Sequence, residues 1–146
     1  LCAAVFTGLF SFEAAAQNRK SVREAEVTGT FRLPFGGRFK GNHNEIRILA
    51  LGVGKLRVSF NLLYPYLLGD GAQSAHLGDS AGEATIKGDT AVFAPEDLEG
   101  CRIRIKFVKP GLIKVSQAGS DAACGFGHNV TASGDYRKTS GAKPSL

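Results

Sequence analysis

Three groupings of residues have side chains that could do chemistry. Ser74, His76 and Asp79 hold every member of a hydrolytic triad within six positions. Such a triad is normally assembled from separate elements around a positioned nucleophile and an oxyanion hole. No G-x-S-x-G elbow is present, so the grouping reads as coincidence. Glu96, Asp97 and Glu99 precede a cysteine; paired carboxylates can cleave glycosidic bonds when they flank a cleft, but between two strands they read as a solvated acidic loop. His43 and Glu45 offer at most two ligands, and a zinc site needs three or more that converge. Pro34-Phe35-Gly36-Gly37 offers backbone amides but matches no phosphate-binding template. The expectation is no catalytic residue, no metal and no cofactor, with a hydrolase kept as a minor alternative.

The cysteines carry a different chemistry. Leu1 to Phe12 is uncharged and apolar, and Ala14-Ala15-Ala16 supplies small residues after it, which reads as a secretory signal peptide cut after Ala16. No basic n-region or initiator Met precedes the stretch, so residues 1–16 read as a truncated signal. Cys2 lies within it. Cys101 and Cys124 then remain as an even pair in an exported chain, the arithmetic of one structural disulfide. Half of a metal site is the alternative, but no C-x-x-C or paired His accompanies them. The expected location is secreted or periplasmic.

Charge narrows the partners. Eighteen Lys and Arg against thirteen Asp and Glu give +5, and loss of Glu13 with the signal raises this to +6. Arg102, Arg104, Lys106 and Lys114 fall on one parity of a hairpin and form a basic stripe able to attract an anionic surface. The preferred reading is a solvated face that blunts strand pairing, with anion binding as the alternative. Nucleic-acid binding by a barrel usually needs exposed aromatic platforms, and here Phe60 and Phe107 take the inward parity. No nucleic acid is therefore expected.

The elements that must position these residues are strands. Lys55 to Leu62 alternates strictly, with Leu56, Val58, Phe60 and Leu62 on one face. Cys101 to Phe107 repeats the pattern. Val27–Leu33, Glu45–Leu51, Ala81–Lys87, Thr90–Ala94, Leu112–Gln117 and Asn129–Lys138 are weaker matches, and no long amphipathic helix is evident. About eight short antiparallel strands, joined in sequence by turns, predict an all-β, up-and-down barrel of lipocalin or avidin type, with a two-sheet sandwich as the alternative. Nineteen glycines in 146 residues, roughly double the ordinary 7% share, suit its turns.

Around Lys109-Pro110-Gly111, side-chain parity pairs Ile105 with Val115 and Phe107 with Ile113, although a proline in the middle of a three-residue turn leaves the turn type open. One domain is expected over residues 17–138, with a disordered tail over 139–146. An open barrel lined by Phe31, Ile48, Phe60 and Phe107 would carry a small apolar ligand. Tyr64 to Ser80 breaks the rhythm and reads as an Ω-loop that buries Tyr64, Tyr66, Leu67 and Leu68 over an open barrel end. As an alternative, that segment with His76 is a lid or partner-binding loop.

The last third resembles small exported bacterial β-domains with no assigned activity. The pattern is a Cys opening one strand, then C-G-F-G-x-N-V and a final G-x-Y-[RK]. Cys101, Cys124, Gly125, Phe126, Gly127, Asn129, Val130, Gly134, Tyr136 and Arg137 carry it. The resemblance implies export, an all-β domain and the disulfide, and no catalytic residue. Periplasmic lysozyme inhibitors are similar in size and form, but Ala132-Ser133-Gly134 is only a fragment of their binding loop, and a cationic chain repels a cationic lysozyme. The expectation is a non-catalytic exported binding module for an unidentified envelope or extracellular partner, with no transmembrane span in its mature chain.

Overall fold

Alternating burial closes the chain on itself. The computed structural model describes residues 19–146; the expected signal peptide and Cys2 lie outside them. Eight strands follow a four-residue helix, α1 (Glu24–Val27): β1 (Gly29–Pro34), β2 (His43–Gly52), β3 (Lys55–Leu67), β4 (Gln73–Lys87), β5 (Thr90–Phe93), β6 (Arg102–Lys109), β7 (Leu112–Ala118) and β8 (Gly134–Ser140). Each pairs antiparallel with its neighbours in sequence, and β8 returns to β1, so the sheet is a closed barrel. The sandwich is excluded by that last pairing.

Inward parity fills the interior. Phe31, Ile46, Ile48, Val58, Leu62, Ile103, Ile105 and Tyr136 are completely buried. Phe31 meets Phe107 edge-on at 6.5 Å between centroids, and Phe60 meets Phe93 at 5.1 Å. Phe31 and Ile48 are fully buried and Phe60 and Phe107 nearly so, so the alternative of an apolar ligand inside the barrel meets a lining packed as core.

The β6–β7 turn reconciles two readings of its sequence. The pairs Ile105↔Val115 and Phe107↔Ile113 are the expected ones, yet Lys109 pairs with Leu112 across only Pro110 and Gly111. A bulge at Val108 supplies the extra residue, and Gly111, at φ 82°, takes the positive-φ position that follows proline in a type II turn.

Several boundaries differ from expectation. Val27 closes α1 rather than opening β1. Residues 129–133 belong to a loop, and β8 starts at Gly134 and runs to Ser140, two residues into the expected tail. The largest difference is Tyr64–Ser80, which is not an Ω-loop: β3 and β4 pair continuously from Lys55↔Thr85 to Leu67↔Gln73.

The barrel has two unlike ends. The loop end gathers residues 35–42, 68–72, 94–101 and 119–133 with the strand ends that flank them, which hold Arg38, Lys40 and Arg102 against Asp70, Glu96, Asp97, Glu99 and Asp121. The terminal end gathers residues 19–28, the three short turns after β2, β4 and β6, and the C-terminal segment. It holds Arg19, Lys20, Arg23, Lys55, Lys87, Lys109 and Lys143 against Glu24, Glu26 and Asp89. Three cations face five anions at one end, and seven face three at the other.

Candidate functional site

The β3–β4 hairpin outgrows the barrel. β2 pairs with β3 only as far as Asn61, and β5 pairs with β4 only at Thr85–Lys87. Between Leu63 and Leu77 the hairpin therefore extends past its last ladder pairs with β2 and β5. Leu63 still donates its amide to the Asn44 Oδ1 at 2.8 Å. By the alternation of strand amides, Pro65 turns its missing N–H toward the same side, beyond the end of β2, where proline costs no ladder bond.

The parity that buries Leu56, Val58, Phe60 and Leu62 continues into Tyr64 and Tyr66, opposite His76 and Ser74. Tyr66 stacks on His76 at 4.8 Å between centroids, and Tyr64 lies nearly parallel to it at 6.4 Å. His128, from the loop before β8, meets His76 edge-on at 5.9 Å. Tyr64 is 40% exposed and Tyr66 and His76 are half-buried. These four rings form a platform open to solvent, able to stack against a planar group or sugar ring and to offer hydroxyl and imidazole hydrogen bonds. Of the expected loop residues, Tyr64, Tyr66 and His76 converge. Leu67 falls on the opposite parity and Leu68 sits in the exposed tip, where its amide bonds the Ala72 carbonyl at 2.8 Å. His128 was not legible as a member, because only the path of residues 119–133 brings it alongside.

That path is set by the expected disulfide. Cys101 and Cys124 are bonded, with Cα atoms 4.8 Å apart. A short 3-10 turn, Ala122–Cys124, ends in left-handed Gly125 at φ 71°. Phe126 and Val130 then turn inward and are buried. A Cβ placed on Gly78 of β4 would lie 2.7 Å from Val130 and 2.8 Å from Phe126, so the strand's lack of a side chain seats the plug. The Gly127 amide bonds the Leu77 carbonyl at 2.9 Å. Asp121 organises the loop: its carboxylate accepts from the Ala122 amide at 2.7 Å and the Asn129 amide at 2.6 Å. Those two amides hold its carboxyl below the usual range, against a burial effect that opposes them, and His128 at 3.8 Å adds to the shift. Gly134 passes against Leu33, and the buried Tyr136 hydroxyl donates to the Ala132 carbonyl at 3.0 Å. Burial raises the Tyr136 pKa, with Asn44 opposing. The C-G-F-G-x-N-V stretch is thus a plug, which buries over the barrel end what the tyrosines were expected to bury.

The groupings with catalytic residue types come apart. Ser74 and His76 share a face of β4, but Asp79 has the opposite parity, paired with outward Asn61. Glu96, Asp97 and Glu99 are exposed. Glu45 is held by Arg32 and Arg47, each at 2.7 Å, with His43 at 3.8 Å; burial raises its pKa, but the two guanidiniums outweigh that and hold it low. Among the described residues no cluster of three or more His, Cys, Asp or Glu is arranged to hold a metal.

Arg102, Arg104 and Lys106 do lie on outward parity of β6, and Lys114 stands opposite Lys106. Asp135 of β8 faces Lys114 in turn, so the stripe is not a run of cations alone. Among the described residues no helix is long and apolar enough to cross a membrane. Comparison with protein-family models, with curated proteins and with solved structures returns no match for this chain.

Proposed function

We propose that this chain is an exported, non-catalytic binding module whose contact surface is the Tyr64–Tyr66–His76–His128 platform on the projecting hairpin. The observation that carries the reading is the change of environment along one strand face. Leu56, Val58, Phe60 and Leu62 are buried on the inner face of β3, whereas Tyr64 and Tyr66, of the same parity, stand clear of the filled barrel. Rings with two rotatable bonds and a polar tip are economical anchors for a partner. The disulfide supports an oxidising compartment, secreted or periplasmic. The resemblance of the C-terminal third to exported β-domains supports the same placement.

A photo-crosslinking residue at position 66, expressed in the native envelope, tests this reading. One discrete adduct at position 66, absent from the same residue at position 111 at the opposite end and lost on Tyr64→Ala, is the expected result. No adduct, or identical adducts from both positions, would overturn it.

A further inference from the structure

The terminal end carries a surface that the hairpin platform does not use. β2 and β3 are joined by a turn in which Gly52 (φ 124°) and Gly54 (φ 71°) adopt backbone conformations that L-residues avoid. Between them Val53 is 104% exposed, and Leu51 beside it is 45% exposed. Turn positions of this kind ordinarily carry polar residues, and single exposed apolar residues need no explanation. The surroundings of this pair give it meaning. The Gly54 carbonyl accepts from the Ile86 amide at 3.0 Å, which ties the turn to the end of β4. A Cβ on Gly88 would sit 3.0 Å from the Arg19 carbonyl and 3.8 Å from that of Lys20. Lys55 follows the turn, Lys87 ends β4 beside it and the Lys20 backbone passes Gly88; all three lysines are exposed, as is Lys109 in the third turn of the same end. The anions there are largely occupied: Glu26 by Arg19 and Arg23, and Asp89 by the Arg19 amide and Thr90.

We propose that the terminal end docks on an anionic lipid bilayer, with Leu51 and Val53 entering the headgroup region and Lys20, Lys55 and Lys87 facing lipid phosphates. A short apolar protrusion ringed by lysines combines the two attractions that hold a protein at a membrane surface without spanning it. The seven-against-three charge balance at this end, and the three-against-five balance at the other, orient the barrel in the surface field. The hairpin platform then points away from the membrane, so the two surfaces can be occupied together.

The chain lacks tryptophan, which makes Val53→Trp a single-reporter protein with the substitution outside the core. With vesicles of phosphatidylcholine and phosphatidylglycerol its emission should shift to the blue and be quenched by brominated acyl chains. Leu77→Trp, on the projecting hairpin, should show neither. Lys55→Gln with Lys87→Gln should weaken partitioning about fivefold per lysine, at roughly 1 kcal/mol each. Circular dichroism of each variant checks that the barrel is intact. Quenching at position 77 equal to that at 53 would overturn the proposal. So would equal partitioning to pure phosphatidylcholine that ignores the lysine changes, because anionic headgroups would then play no part. A blue shift produced by inorganic phosphate alone would also overturn it, in favour of a free-anion site.

Discussion

The two ends of the barrel are closed by different physics. At the loop end, Cys101–Cys124 pins a plug of Phe126 and Val130 against Gly78. At the terminal end, Val27, the last residue of α1, is buried, and polar contacts fix the segment around it. Arg19 bonds Glu26 at 2.8 Å and Arg23 bonds it at 3.1 Å. The Lys138 Nζ donates to the carbonyls of Ala25 and Thr28 at 2.7 and 2.8 Å. The disulfide and apolar contacts keep their strength across salt and pH, with only the Asp121 carboxylate adding a pH-dependent contact at that end, whereas the ionic closure depends on both. The difference also sorts the surfaces: the rigid end supports the ring platform, and the end with surplus lysines faces charge.

Phe126→Ala should produce the largest effect on this contrast. Emptying the plug should cost about 3–4 kcal/mol in urea unfolding, and a cost under about 1 kcal/mol would show that Phe126 is not the closure. Replacing Cys101 and Cys124 by Ala should follow, at about 3 kcal/mol, since the bond limits the unfolded chain across 23 residues. That corresponds to a melting temperature lowered by about 10 °C, and an unchanged melting temperature would sink the prediction.

Glu26→Gln should cost less than either, and its cost should shrink in high salt, because its partner Arg23 is 80% exposed. A penalty that ignores salt would mean packing, not charge, closes that end. The smallest effect should be regional. Burial raises the carboxyl pKa of Glu26 and Asp89, but Arg19 and Arg23 outweigh it at Glu26, and the Arg19 amide with Thr90 and Lys106 outweighs it at Asp89. Both end below their ordinary values, as Asp121 does. The folded chain thus binds fewer protons than the unfolded one, so stability rises with pH. This contribution is complete above the ordinary carboxylate range near about pH 4 and is lost as pH falls through the depressed folded values. On acidification, amide exchange should quicken in residues 26–28 before residues 126–130, because the disulfide and the packing on Gly78 still hold the latter when Asp121 is protonated. The reverse order would contradict the contrast.

What was legible in the sequence is what repeats every two residues. Leu56 to Leu62 and Ile103 to Phe107 declared their inward faces, and the pairing of Phe107 with Ile113 followed from parity alone. The extension of β3 was hidden because Leu63, Pro65 and Leu67 are apolar on the outward parity too. Alternation vanishes where a hairpin leaves the barrel and neither face has a distinct environment. The segment 129–133 was misread as strand because Val130 and Ala132 alternate, yet they alternate into a plug. The meeting of His76 with His128 has no local signal at all, since it depends on a disulfide and on the absence of side chains at Gly78 and Gly127.

Closure of the barrel has a kinetic consequence. Seven of the eight strand pairings join neighbours in sequence, and only β1 with β8 joins the two ends of the chain. The meander can zip up locally, while the last seam must wait for a contact more than a hundred residues apart, the kind of contact that slows folding. Until it forms, β1 and β8 are two bare sheet edges. Each is the natural complement of the other strand in a second copy, so crowded refolding should favour strand-exchanged dimers, and dilution should favour the closed monomer.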